Sequence, residues 1–106
     1  MRLRFSKAAE EDLIEVASYT MENWDYAQAV RYLKQLDETC WMLTRMPLLG
    51  RTFSCDTPHV RRFQEGRHVI FYLSKLDEIW IGRVLHENML PQRRPLFRDT
   101  DTFSEE

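Results

Sequence analysis

His68-Val69-Ile70-Phe71-Tyr72-Leu73 is the stretch that decides the fold. Side chains alternate across a strand, and here both alternating sets are apolar, so this strand is central and both of its faces need cover. On its N-terminal side, His59 to Gln64 has strand periodicity and Glu65-Gly66 supplies a tight turn. On its C-terminal side, Ser74 to Asp77 is a second turn, and Glu78 to Leu85 is again nearly all apolar. The three runs predict an antiparallel meander. Simple alternation puts Ile79, Ile81, Arg83 and Leu85 on one face of the last strand and Trp80, Gly82, Val84 and His86 on the other, so that Arg83 and His86 diverge.

The cover comes from the N-terminal half. Arg2 to Phe5 alternates like a short strand, Ser6 offers an N-cap, and Glu10, Glu11 and Asp12 suit the positive end of a helix. Ala9, Leu13, Val16, Ala17, Thr20 and Trp24 form a buried stripe that breaks near Asn23. Asp25, with Gln28 three positions on, starts a second helix, whose stripe is Ala29, Leu33, Leu36, Cys40 and Leu43. Proline 47 disfavours helical geometry at Met46 and ends it, and Leu48 to Pro58 reads as loop. The expected architecture is α+β: an N-terminal strand and a two-helix hairpin, Ser6 to Met46, packed on a small antiparallel sheet, with Leu33 and Leu36 in the core. One hairpin shields one face. The other is either closed by the C-terminal segment or left for another chain.

The 106 residues, 43% hydrophobic and 30% charged, suit a single domain over residues 1–98 followed by a frayed acidic tail, 99–106. The longest apolar run, Val69 to Leu73, is far short of a membrane span, and the expected location is the cytoplasm. Cys40 and Cys55 read as reduced thiols; with His59, His68 and His86 they lack metal-ligand spacing, so neither metal nor cofactor is expected. The three glycines form no phosphate-binding loop. Net charge is -2, unevenly spread: residues 47 to 98 carry nine basic and five acidic groups, while the tail adds four acids. Such a block suits an acidic partner, whereas a chain acidic overall is a poor generic DNA binder, and no sequence-specific nucleic-acid contact is expected. Twelve of the fifteen basic residues are arginine, which favours bidentate contact with carboxylate or phosphate.

Arg61, Arg62, Arg83 and His86 supply the residue types of a metal-free ribonuclease, an imidazole for proton transfer and guanidinium groups for a phosphorane. The alternative for Arg83 is a sheet arginine paired with an acid, and for His86 a strand-end residue bonded to backbone. Trp41 lies off the core stripe of its helix, either exposed for a partner or enclosed by the hairpin and first strand.

Taken in order, the strand, the hairpin pattern Ala8, Asp12-Leu13, Tyr19, Trp24, Ala29 and Tyr32-Leu33, then Leu48-Leu49-Gly50-Arg51, Val60-Arg61-Arg62-Phe63, His68 to Tyr72 and Arg83-Val84-Leu85-His86 resemble the ParE branch of the RelE/ParE toxin superfamily from about Leu3 to Met89. The resemblance implies a type II toxin that blocks DNA gyrase and is neutralised by a ParD-type antitoxin whose C-terminal segment wraps it. Expected antitoxin contacts are Trp41, Arg61, Arg62, Phe71 and Arg83. Expected gyrase contacts are Arg61, Phe63, His86, Arg93, Arg94 and Phe97. The motif departs from the family after His86, reading Glu87-Asn88-Met89-Leu90-Pro91 where a basic residue, Met and Asp are usual. The alternatives are a ribosome-dependent mRNA endonuclease of RelE type and an inactive antitoxin-binding remnant. RelE-type enzymes usually carry central lysines and a C-terminal tyrosine; here Leu48 to Leu73 has no lysine and no tyrosine follows Tyr72.

Overall fold

The computed structural model describes residues 2–89 and the backbone of residues 103–105. Strand β1 (Arg2–Ser6) leads directly into helix α1 (Lys7–Asn23), and α2 (Tyr26–Arg45) returns beside it. Then come β2 (Arg51–Thr52), β3 (Arg61–Glu65), β4 (His68–Lys75), β5 (Glu78–His86) and β6 (Phe103–Glu105), in one sheet of order β2-β3-β4-β5-β1-β6. The α+β architecture and hairpin cover match the sequence reading. The expected local signals also operate. Ser6 caps α1 by accepting from the Ala9 N–H, Asp25 caps α2 by accepting from the Gln28 N–H, and α2 stops one residue short of Met46. Gly66, at φ +59°, forms the left-handed turn between β3 and β4.

The sheet is mixed rather than wholly antiparallel. Strand β1 pairs parallel to β5, with Leu3 opposite Ile79 and Phe5 opposite Ile81. A parallel pair needs a long crossover, and the chain from α1 to β4 supplies it. The Ser6 hydroxyl completes the junction by donating to the Gly82 carbonyl at 2.6 Å, so the residue that starts α1 also ties it to β5. Strand β2, within the expected loop, is too short to carry a period. Residues 103–105 fall in the expected frayed tail, yet their backbone pairs antiparallel with β1, Phe5 opposite Ser104, and satisfies the edge that β1 otherwise leaves open.

A bulge changes the phase of β5. The β4–β5 register passes from Phe71↔Arg83 to Tyr72↔Ile81 and leaves Gly82 without an opposite residue. Ile79, Ile81 and Val84 therefore join Leu3, Ile70 and Tyr72 beneath the hairpin, where Leu36, Cys40 and Leu43 are buried. Leu33 is only half-buried, at the rim between the helices. On the opposite face Val60, Val69, Phe71, Leu73 and Leu85 form a second core, and Phe53, Cys55, Trp80 and Met89 pack against it. The loop after β2 thus covers part of the face expected to await the C-terminal segment or another chain. Phe53 meets Phe71 edge-on, ring centroids 5.1 Å apart. Tyr72 anchors the loop from the other side: its hydroxyl accepts from the Gly50 N–H at 2.9 Å and donates to the Pro47 carbonyl at 2.8 Å. A Cβ at Gly50 would lie 2.6 Å from that oxygen, so the close approach requires glycine.

Candidate functional site

Position 12 falls between Ala9 and Val16 on the buried side of α1, and puts a carboxylate against the bulged part of β5. Asp12 is 7% exposed and Arg83 8%. The Asp12 carboxylate accepts from Arg83 Nε and Nη2, both at 2.8 Å, and from the Val84 N–H at 2.9 Å. Two charges buried this deeply hold only because the pairing is bidentate and a backbone donor completes it. Arg83 is therefore committed within the fold, which corrects the expectation that it meets a partner and matches the alternative of a sheet arginine paired with an acid.

Beside this pair, Asp12, Glu15, Tyr19, His68, His86 and Met89 line a cleft of about 280 Å³. The bulge lies before Arg83, so the alternation from Arg83 to His86 is unbroken, as expected: His86 lines the cleft with Val84, while Arg83, opposite Phe71, meets the cleft only through its Asp12 partner. His68 and His86 are register partners on β4 and β5, with rings edge to face at 5.5 Å. The Tyr32 hydroxyl reaches His68 Nδ1 at 2.5 Å and accepts from the Arg67 N–H at 3.2 Å, pinning α2 to the β3–β4 turn. His86 Nδ1 accepts from the Asn88 N–H, so its role here includes the expected backbone contact. Burial first, and the His86 charge second, hold the His68 pKa below the usual 6.5. Burial also raises the Tyr32 hydroxyl, and both groups rest neutral near neutral pH.

A pH dependence follows. The fold resists protonating His68 while the unfolded chain takes up the proton near 6.5, so this site's contribution is complete above that value. It declines as pH falls through the lower folded value. Thermal unfolding followed from about pH 7.5 to about pH 5.5 should show Tm falling below about 6.5, and His68→Gln should flatten that part of the profile. An identical slope in the variant contradicts the assignment.

The cleft holds imidazoles and a tyrosine, but the carboxylates of Asp12 and Glu15 stand at its wall and Arg83 is already neutralised. Among the described residues, no cluster of ligating side chains suits a metal ion. Tyr32, His68 and Asp12 were absent from the sequence-derived site. The legible signal was the acid at position 12 within an apolar stripe, matched by an arginine within an apolar strand.

The other expected contacts separate. Trp41 and Phe63 are half-buried and pack against the first core, so Trp41 is enclosed on one side. Phe71 is buried beneath Phe53. Arg61 donates to the Gly50 carbonyl at 2.7 Å, and Arg62 lies half-buried beside it on β3. Arg93, Arg94 and Phe97 lie outside the described residues. An open apolar surface lies instead on the hairpin. There Leu13, Ile14 and Ala17 of α1 face Leu33 and Leu36 of α2 across a groove of about 330 Å³, with Phe5 at its floor. Ile14 is 66% exposed, and Met21 and Val30 extend the apolar character along the helices. Helix stripes ordinarily face a core, so stripe residues left lining an open groove, with Ile14 exposed beside them, mark a contact surface.

Comparison with known proteins agrees with this reading. Residues 3–91 match the family described as ParE toxin of type II toxin-antitoxin system, parDE. The Toxin ParE1 of Caulobacter vibrioides is 33% identical over 86 residues, covering 81% of this chain and 88% of its own. The Toxin ParE1 of Mycobacterium tuberculosis is 32% identical over 89 residues, covering 83% and 91%. A chain from a chromosomal ParDE TA system of P. aeruginosa superposes with a TM-score of 0.68 at 19% identity, over 81% of this chain and 95% of that one. The shared fold, and the sequence match that runs from β1 through the hairpin to the end of β5, place this chain in the ParE toxin family of type II toxin-antitoxin systems, within the RelE/ParE superfamily.

Proposed function

We propose that this chain is a toxin that binds and poisons DNA gyrase in the cytoplasm, performs no chemistry itself, and is neutralised by a ParD-type antitoxin. The observation that carries the antitoxin part is the open apolar groove of the hairpin, contiguous with Phe5 of β1. An amphipathic helix laid in it buries its apolar face against Ile14 and Leu33. The support from relatives is that the solved neighbour is a ParDE system and that the relatives are toxins of the same name. For the absence of chemistry, the support is the Glu15 carboxylate at the wall of the histidine cleft, which repels a phosphodiester, and the prior engagement of Arg83 by Asp12. Arg61, Phe63 and His86, with Arg93, Arg94 and Phe97, remain the proposed gyrase contacts.

Calorimetry with the C-terminal segment of the antitoxin encoded beside this gene tests the groove. Tight binding with a negative heat-capacity change is expected, because apolar surface is buried as the segment folds. No binding, or binding without that change, contradicts it.

A further inference from the structure

The β2–β3 ribbon places Arg51 directly opposite Arg62. Directly opposite residues in an antiparallel pair have Cβ atoms roughly 4.5–5.5 Å apart, and like charges there destabilise the sheet. Neither guanidinium makes an ion pair or hydrogen bond among the described residues. The adjoining pair shows that this is not how the fold treats every arginine: Arg61, opposite Thr52, donates to the Gly50 carbonyl. Strand β2 ends the sheet, so among the described residues its outer edge has no neighbouring strand. Just before it, Leu48 and Leu49 are 71% and 40% exposed on a segment fixed by the Leu49 N–H to Met46 carbonyl bond and the Gly50–Tyr72 contact.

We infer that Arg51 and Arg62 form a clamp for the carboxylates of an extended acidic peptide, whose aliphatic side chains rest on Leu48 and Leu49. Two uncompensated guanidinium groups match carboxylate oxygens bidentately, and the open edge of β2 supplies backbone donors and acceptors for strand addition. A nucleic-acid backbone fits less well. The ribbon's aromatic residues, Phe53 and Phe63, are turned into the two cores rather than offered for base stacking. The clamp is separate from the hairpin groove, and its occupant need not be the antitoxin.

Because the site retains a repulsive pair, a single substitution separates binding from folding. Arg51→Glu converts the like-charge pair to an opposite-charge pair, so it should raise Tm by about 1–8 °C. The same change should weaken binding of a short peptide alternating glutamate and leucine by roughly tenfold or more. In amide-resolved NMR titrations of the full chain at low salt, that peptide should shift Arg51, Thr52, Arg61 and Arg62, while its glutamine counterpart and a short DNA duplex should not. Equal shifts by the glutamine peptide, stronger shifts by the duplex, no shift by the acidic peptide, or unchanged affinity in Arg51→Glu would each overturn the inference. So would a fall in Tm. None of these readouts involves gyrase or the antitoxin, so the inference fails or stands apart from the proposed toxin function.

Discussion

Replacing Asp12 with alanine should destabilise the fold by about 3–5 kcal/mol, as expected when one partner of a buried ion pair is removed. Three donors lose their acceptor at once: Arg83 Nε, Arg83 Nη2 and the Val84 N–H. A guanidinium left 8% exposed cannot recover its lost partner from water without opening the α1–β5 contact. Against a total of roughly 5–15 kcal/mol for a domain, the loss is a large share. The double replacement Asp12→Ala with Arg83→Met should recover much of it, since an apolar pair carries no unpaired charge. Urea unfolding measures both. A change under about 1 kcal/mol in the single variant would show that the pair is dispensable to the fold.

Ile14→Glu should leave folding intact and weaken the antitoxin segment by about 30- to 700-fold. The side chain is 66% exposed in the free protein, so its replacement removes little from the core. In the complex it is covered, and losing its burial while enclosing a carboxylate costs roughly 2–4 kcal/mol. Calorimetry of the folded variant provides the comparison. Unchanged affinity would move the antitoxin off the hairpin groove.

The parts of the fold legible in the sequence are those set by local chemistry. Ser6 and Asp25 announce the helix starts because each hydroxyl or carboxylate serves an N–H three residues on, and Pro47 and Gly66 mark an end and a turn for reasons of backbone sterics. What was not legible depends on contacts far apart in the chain. The parallel entry of β1 is set by where Leu3 and Phe5 find Ile79 and Ile81. One unpaired residue, Gly82, shifts the phase of β5 and moves Val84 under the hairpin beside Ile79 and Ile81, an arrangement that strict alternation cannot express. Phe53 lies in a stretch without period, and its service as cover for Phe71 follows from the path of the loop. The arginine-rich block was legible as charge, but the sheet register decides which members are engaged: Arg83 by Asp12, Arg61 by Gly50, and Arg51 only by its like-charged opposite.

Residue 83 also bears on the proposal that this chain performs no chemistry. A metal-free ribonuclease needs a free cation beside its proton-transfer group, and Arg83, the arginine of the expected motif, already carries a carboxylate on two of its donors. Inhibition by binding requires only a surface.

A supercoiling reaction with purified gyrase and the folded chain, run beside a translation reaction programmed with mRNA, tests that claim most directly. Loss of supercoiling with accumulation of linear, protein-linked DNA, and intact mRNA, is the predicted result; ribosome-dependent cleavage of the mRNA with gyrase untouched would contradict it.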